Sequence, residues 1–152
     1  MAQKGLDMAS LNHVGITVSD LEASRAFYVD VVGLELVLPE FRTGGGWFDT
    51  LTENSGAVID AVLLSAGQMT LQLVQYHQAG NPDAFTGHNR VGNLHLSFDV
   101  EDVEAKHAQL KEHPELRATA VVQLPVEGYR SFYVRDPDGV PVEFLESPRN
   151  LG

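Results

Sequence analysis

The sequence predicts an α+β domain. Two tandem βαβββ modules form a curved mixed sheet around a cavity, with helices on the outside. Three observations carry this. One pattern occurs twice, as His13-Val-Gly-Ile-Thr-Val18-Ser-Asp20-Leu-Glu22-Ala23 and His95-Leu-Ser-Phe-Asp-Val100-Glu-Asp102-Val-Glu104-Ala105, with histidine, valine, aspartate, glutamate and alanine at identical offsets. Each copy passes from a strand-like run into a helix. Each is then followed by three further strand-like runs. The chain of 152 residues is about one domain, 1–152. Its modules are read as 10–77 and 91–147, with 78–90 as a linker or lid, because Gly-Asn-Pro and Thr-Gly punctuate that stretch.

In the first module, Leu11 to Val18 alternates and reads as a strand. Ser19-x-x-Glu22 is a capping box opening a helix. Leu21, Ala26, Phe27, Tyr28, Val31 and Val32 form its apolar stripe, and Gly33 ends it. Leu34 to Leu38 is a strand, and Thr43 to Trp47 a glycine-rich loop. Ala57 to Ser65 and Met69 to Tyr76 are strands turned at Ala66-Gly67. In the second module, Leu94 to Val100 is a strand and Asp102 to His113 a helix stopped by Pro114. Thr119 to Gln123, Tyr129 to Arg135 and Val140 to Leu145 are strands, the last two joined by the strong turn Asp136-Pro137-Asp138-Gly139.

Composition narrows the function classes. Net charge is −11, with 10 basic and 21 acidic residues. Phosphate backbones are held by lysine and arginine, so neither a nucleic acid nor an anionic membrane surface is the expected partner. No run approaches the ~18 apolar residues of a membrane span, and Met1 to Ser10 lacks a signal-peptide core. Cysteine is absent, which removes disulfides and thiolate sites and fits a cytoplasmic setting.

The period-2 reading of the strands divides their faces. Val14, Ile16 and Val18 share one face, while His13, Gly15 and Thr17 share the other. Leu96, Phe98 and Val100 oppose His95, Ser97 and Asp99. Val142 and Phe144 oppose Glu143. Each half therefore has an apolar side for the helices and a side with polar groups at selected points, as a ligand cavity requires. His13 matches His95, and Gln72 matches Glu143 in the closing strands. Histidine is the commonest side-chain metal ligand. A carboxylate such as Glu143 between Val142 and Phe144 calls for a partner. His77, His88, His107 and His113 have no repeat partner, and His107 and His113 fall on an exposed helix face. Trp47, Tyr76, Phe85, Arg90 and Tyr129 are possible cavity-lining residues.

The opening His-x-x-x-x-Val-x-Asp and the closing Asp-Pro-Asp-Gly-x-x-x-Glu together resemble the vicinal oxygen chelate superfamily, over about residues 10 to 147. That superfamily includes glyoxalase I, methylmalonyl-CoA epimerase, extradiol dioxygenases and bleomycin-resistance proteins. The resemblance implies His13, Gln72, His95 and Glu143 as ligands of one divalent metal ion (Ni, Co, Mn, Fe, Zn or Mg). It also implies Glu143 as the catalytic base, a small-molecule substrate and a homodimer. Such a mixed N/O set suits a six-coordinate ion with two open positions. A dication and one carboxylate leave a charge of about +1, which favours a chelating enolate or enediolate. A lyase or isomerase of glyoxalase type is therefore the leading expectation. The alternatives are an extradiol-type ring-cleaving dioxygenase and a metal-free drug- or metabolite-binding resistance protein. Phe132-Tyr133-Val-Arg-Asp136-Pro137-x-Gly139 followed by Glu143 carries part of the dioxygenase signature. The histidine expected before Phe132 is replaced by Leu124, Pro125 and Val126.

Overall fold

A computed structural model describes residues 11–52, 55–77 and 94–148. The first module runs β1 (His13–Thr17), α1 (Leu21–Ala26), β2 (Glu35–Gly44), α2 (Gly46–Thr52), β3 (Val58–Ala66) and β4 (Met69–Tyr76). The second runs β5 (Leu96–Asp99), α3 (Val103–Leu110), β6 (Val122–Gln123), β7 (Arg130–Arg135) and β8 (Pro141–Glu146). Two four-stranded sheets result, ordered β1-β4-β3-β2 and β5-β8-β7-β6. In each, the opening strand lies parallel to the closing strand and the other pairings are antiparallel. This is the mixed-sheet α+β architecture expected from the repeat.

The helix starts repeat in atomic detail. Asp20 and Asp102 hold extended backbone, and their carboxylates accept from Ala23 N and Ala105 N, each at 2.9 Å. The cap of α1 is thus Asp20 rather than Ser19, because the aspartate is the residue within reach of the third helical N–H. The first helical N–H is met from the closing strand. Leu21 N donates to Gln75 Oε1 at 2.7 Å, and Val103 N donates to Glu146 Oε2 at 2.8 Å. Beyond Ala26 the helix widens into a π-helical turn, Phe27–Val32. It stops at Gly33, whose φ of 94° suits glycine, and Gly33 N and Leu34 N both donate to Tyr28 O.

Several elements differ from the sequence expectation for local reasons. β2 extends through Pro39 to Gly44, with register shifts between Leu36 and Leu38 and between Leu38 and Phe41. A proline is accommodated there because β2 is an edge strand with bulges. The expected glycine loop becomes α2, because Phe48 buries against Ala57, Ile59 and Ala61. Pro114–Leu116 adds a 3-10 turn after α3. His107, expected on a solvated face, is half-buried. Its Nε2 lies 2.9 Å from Thr119 O and its ring packs edge-on against Phe132.

One apolar cluster joins the modules, with Ile16, Val18, Phe27 and Tyr28 from the first and Val103, Phe132, Val142 and Phe144 from the second. The Asp136–Gly139 turn locks this junction. Asp136 is 4% exposed, accepting from Tyr28 Oη at 2.8 Å and from Asp138 N and Val140 N at 2.9 and 2.8 Å. Burial raises the Asp136 carboxyl above its usual range, and those donors oppose the shift. Asp138 in turn accepts from Ser19 N at 3.1 Å and from the Ser19 hydroxyl. Lys106 Nζ donates to Val31 O at 2.7 Å and lies 5.1 Å over the Phe144 ring.

Tyr28→Phe would leave a buried carboxylate oxygen without its donor. It should lower unfolding free energy by about 1–3 kcal/mol, read as a reduced urea midpoint at unchanged slope. On β3, the hydrogen bond from Arg42 is the main cause holding Asp60 down to about 2, with His77 adding to it against desolvation. A depressed carboxylate stabilises the fold fully above the ordinary aspartate pKa of about 3.9 and loses that contribution as pH falls through about 2. Asp60→Asn should therefore lower Tm at pH 6 and converge on wild type near pH 2.

Candidate functional site

The sheet registers fix which side chains share the polar faces. In the first sheet Gln72 on β4 pairs with Gly15 on β1 and with Leu63 on β3, and His13 pairs with Thr70. In the second sheet Glu143 on β8 pairs with Ser97 on β5 and with Tyr133 on β7. His95 stands two residues before Ser97, as His13 stands two residues before Gly15. Each module thus repeats one arrangement, a histidine at the start of the opening strand and a polar side chain in register two residues on. The opposite faces carry Ile16, Leu71, Leu73, Val142 and Phe144 into the core. Three residues beyond Gln72 and Glu143 come Gln75 and Glu146, which face the helices and cap them.

The four residues differ in surroundings. His13 is exposed, and its Nδ1 lies 2.8 Å from Asn12 Oδ1. A donating Nδ1–H leaves the lone pair on Nε2. Gln72 is half-buried, and its Oε1 stands 3.6 Å from where a Cβ on Gly15 would be. That is an ordinary van der Waals separation. His95 is exposed, and its ring meets Tyr133 edge-on with centroids 5.8 Å apart. Glu143 is half-buried. Burial, and secondarily the Glu143 charge, raise the Tyr133 phenol above its usual range. Neither the Gln72 nor the Glu143 side chain makes a hydrogen bond among the described residues.

The registers set Gln72 beside Gly15, two residues past His13, and Glu143 beside Ser97, two residues past His95. Among the described residues, no three histidine, aspartate or glutamate side chains lie close enough to hold one ion. A cavity of about 180 Å³ lies at the seam of the two modules, lined by Val14, Thr70 and Leu71 of one and Leu96, Ser97 and Phe98 of the other. It is largely apolar and includes none of the four predicted ligands. Of the other residues singled out, Trp47 is 62% exposed beside Phe48. Tyr76 is half-buried and packs near the Phe48 ring. His77 meets Asp60 at 2.7 Å, and exposed His113 lies 3.3 Å from Glu115. Phe85, His88, Arg90 and the 78–90 segment lie outside the described residues.

Sequence reading passed over Tyr133 as a neighbour of Glu143. Counting back from the Asp136–Gly139 turn through the hairpin pairs gives it, since Arg135 faces Pro141 and Tyr133 faces Glu143. Asn12 beside His13 carried no periodic signal.

A paired βαβββ fold with this duplicated arrangement defines the class of protein. The family description "Glyoxalase/Bleomycin resistance protein/Dioxygenase superfamily" matches residues 10–144, and the chain belongs to that superfamily. It is 27% identical to the uncharacterised protein YaeR of Escherichia coli, over 93% of this chain and 98% of the relative. It is also 27% identical to a 2-epi-5-epi-valiolone epimerase of an Actinomyces species, over 97% of this chain and 85% of the relative. The fold superposes on a glyoxalase family protein from Bacillus cereus with a TM-score of 0.79 at 21% identity, covering 97% and 100% of the two chains. No helix among the described residues is long and apolar enough to cross a membrane.

Removing the Glu143 charge should ease ionisation of the neighbouring phenol. In metal-free protein, Glu143→Gln should move the Tyr133 component of a spectrophotometric tyrosine titration to lower pH, assigned by its loss in Tyr133→Phe.

Proposed function

We propose that the protein is a divalent-metal-dependent, glyoxalase-like enzyme, a lyase or isomerase acting on a small molecule that chelates through two oxygens. One observation carries the reading: in both modules the residue two positions past a histidine pairs across the sheet with an amide- or carboxylate-bearing residue. A core needs neither group there, and the repetition is hard to explain by surface polarity alone. The similarity to an epimerase supports the isomerase side of the proposal.

By donor type these groups suit a divalent ion, while within one chain the described residues bring no three histidine, aspartate or glutamate side chains within reach of one. Two exposed imidazoles, the oxygen of a half-buried amide and a half-buried carboxylate are a hard N/O set of the kind that octahedral or expanded-coordination dications take. Asn12 would fix the tautomer of His13, as groups behind a metal ligand commonly do. His13, Gln72, His95 and Glu143 would hold the ion, which when bound supplies a Lewis acid beside the reacting carbonyl. The protein's own part is proton movement. Glu143 is the carboxylate of the set and would be the group to accept a proton from the substrate carbon, an efficiency that depends on holding the two close. The apolar backing of Val142 and Phe144 keeps β8 rigid beneath it.

Elemental analysis of protein purified without added metal tests the assignment. Wild type should carry close to one divalent ion per chain, His95→Ala essentially none, and Gln72→Ala a reduced amount. A full equivalent retained by His95→Ala would overturn the ligand set.

A further inference from the structure

Phe48 fixes where α2 sits. On β4, Leu71 and Leu73 enter the main core, while Val74 and Tyr76 pack with Phe48. On β3, Val62 and Leu64 enter the main core, while Ile59 and Ala61 pack with Phe48. Alternation along both strands therefore puts Phe48 on the face that carries Gln72. Helix α2 lies on the polar face of the first sheet, not among the helices behind it. Among the described residues the second module has no such helix, since β6 is joined to β7 by the turn 124–129 alone. Between Gln72 and α2 the floor is apolar. Leu63 pairs with Gln72, and Val74 lies about 7 Å further along β4. Both are half-buried.

The helix is anchored, yet it shows large apolar side chains to solvent. Asp49 Oδ1 accepts from Ala57 N at 3.2 Å, and Phe48 N and Asp49 N both donate to Gly45 O. Trp47 and Leu51, one turn apart on the helix, are 62% and 72% exposed. The indole is braced at two edges. Phe48 meets it edge-on with centroids 5.4 Å apart, and a Cβ on Gly45 would stand 3.9 Å from its Cδ1.

We propose that α2 is a wall of the substrate site, and that Trp47 selects a flat, largely apolar ring system lying beside it over Leu63 and Val74. This deepens the function proposed above by naming the substrate class, and it rests on that reading for the face that takes the substrate. Aromatic side chains favour flat rings, stacked or edge-on, beyond what buried area alone supplies. A net charge of −11 favours a neutral ring over an anionic one. An amide at one end of the floor and an indole at the other match a ring that carries its oxygens at one edge.

Trp47 is the only tryptophan of the chain, so its fluorescence reports on this wall. The test titrates EDTA-treated, metal-free protein with 1-hydroxy-2-acetonaphthone, a neutral flat probe with two adjacent oxygens, by calorimetry and by quenching of Trp47. Wild type should bind saturably and be quenched. Trp47→Ala should bind about tenfold more weakly, and Trp47→Phe within about threefold of wild type. Gly15→Val adds a side chain on the same face, where its Cβ meets Gln72 Oε1 at an ordinary 3.6 Å. It should also bind about tenfold more weakly. Unchanged affinity in Trp47→Ala or in Gly15→Val would overturn the proposal, as would a Trp47→Phe as weak as Trp47→Ala. Wild type with no saturable heat at millimolar probe would overturn it too. Emission that moves to the blue with rising protein concentration, before any probe is added, would mean that a second copy covers the indole, and the proposal would fall. No metal enters this titration, so the ligand set tested by elemental analysis stands or falls separately.

Discussion

The Asp136 carboxylate is the constraint on which the remaining geometry hangs. It receives the Tyr28 hydroxyl from the first module and two backbone N–H groups from its own turn. Burying a carboxylate is unfavourable unless its oxygens are satisfied, so the three donors belong together. With them in place the turn has one position relative to the first helix, and β8 starts at Pro141 immediately afterward. Glu143 follows two residues on. A short chain of contacts thus connects the module junction to the residue we assign as base.

Repetition accounts for much of the rest. Both helices begin at an aspartate cap, and both have their first N–H met by a residue three positions beyond Gln72 or Glu143. A closing strand therefore does two things at once. One face caps and covers a helix, while the other presents a polar group beside the opening strand. Shifting either strand by one residue would exchange those faces, which would expose Phe144 and place Glu143 in the core. The register is consequently held from both sides, and the polar faces inherit its precision. Within that shared frame the modules specialise, an amide beside Gly15 in one and a carboxylate between two hydroxyl residues in the other.

Where the sequence was legible, the signal was periodic or local. The duplicated histidine pattern and the Asp136–Gly139 turn gave the βαβββ repeat, and strand parity set Glu143 opposite the core residues Val142 and Phe144. What escaped was set by tertiary partners. α2 starts at the last of the three glycines, Gly46, because Phe48 has an apolar seat against Ile59 and Ala61 of β3. Asp20 rather than Ser19 caps α1, and Ser19 turns to Asp138, a residue far along the chain. His107 looked solvated on its own helix and is covered by Thr119 and Phe132. The correspondence of His13 with His95 and of Gln72 with Glu143 was readable as a repeat, whereas how the groups of one module stand to those of the other depends on packing between modules, for which a single sequence carries no period.

The outer rim of the first sheet has a further consequence. β2 is long, and Leu36, Val37, Leu38 and Phe41 are exposed along it. A straight strand of that composition would recruit a strand from another molecule and seed aggregation. Two shifts in register interrupt the row of free N–H and C=O groups, Pro39 removes a donor, and Glu40 and Arg42 place charges among the apolar side chains. The same irregularities that hid the continuation of this strand past Pro39 from a periodic reading keep its border from zipping onto foreign β-structure.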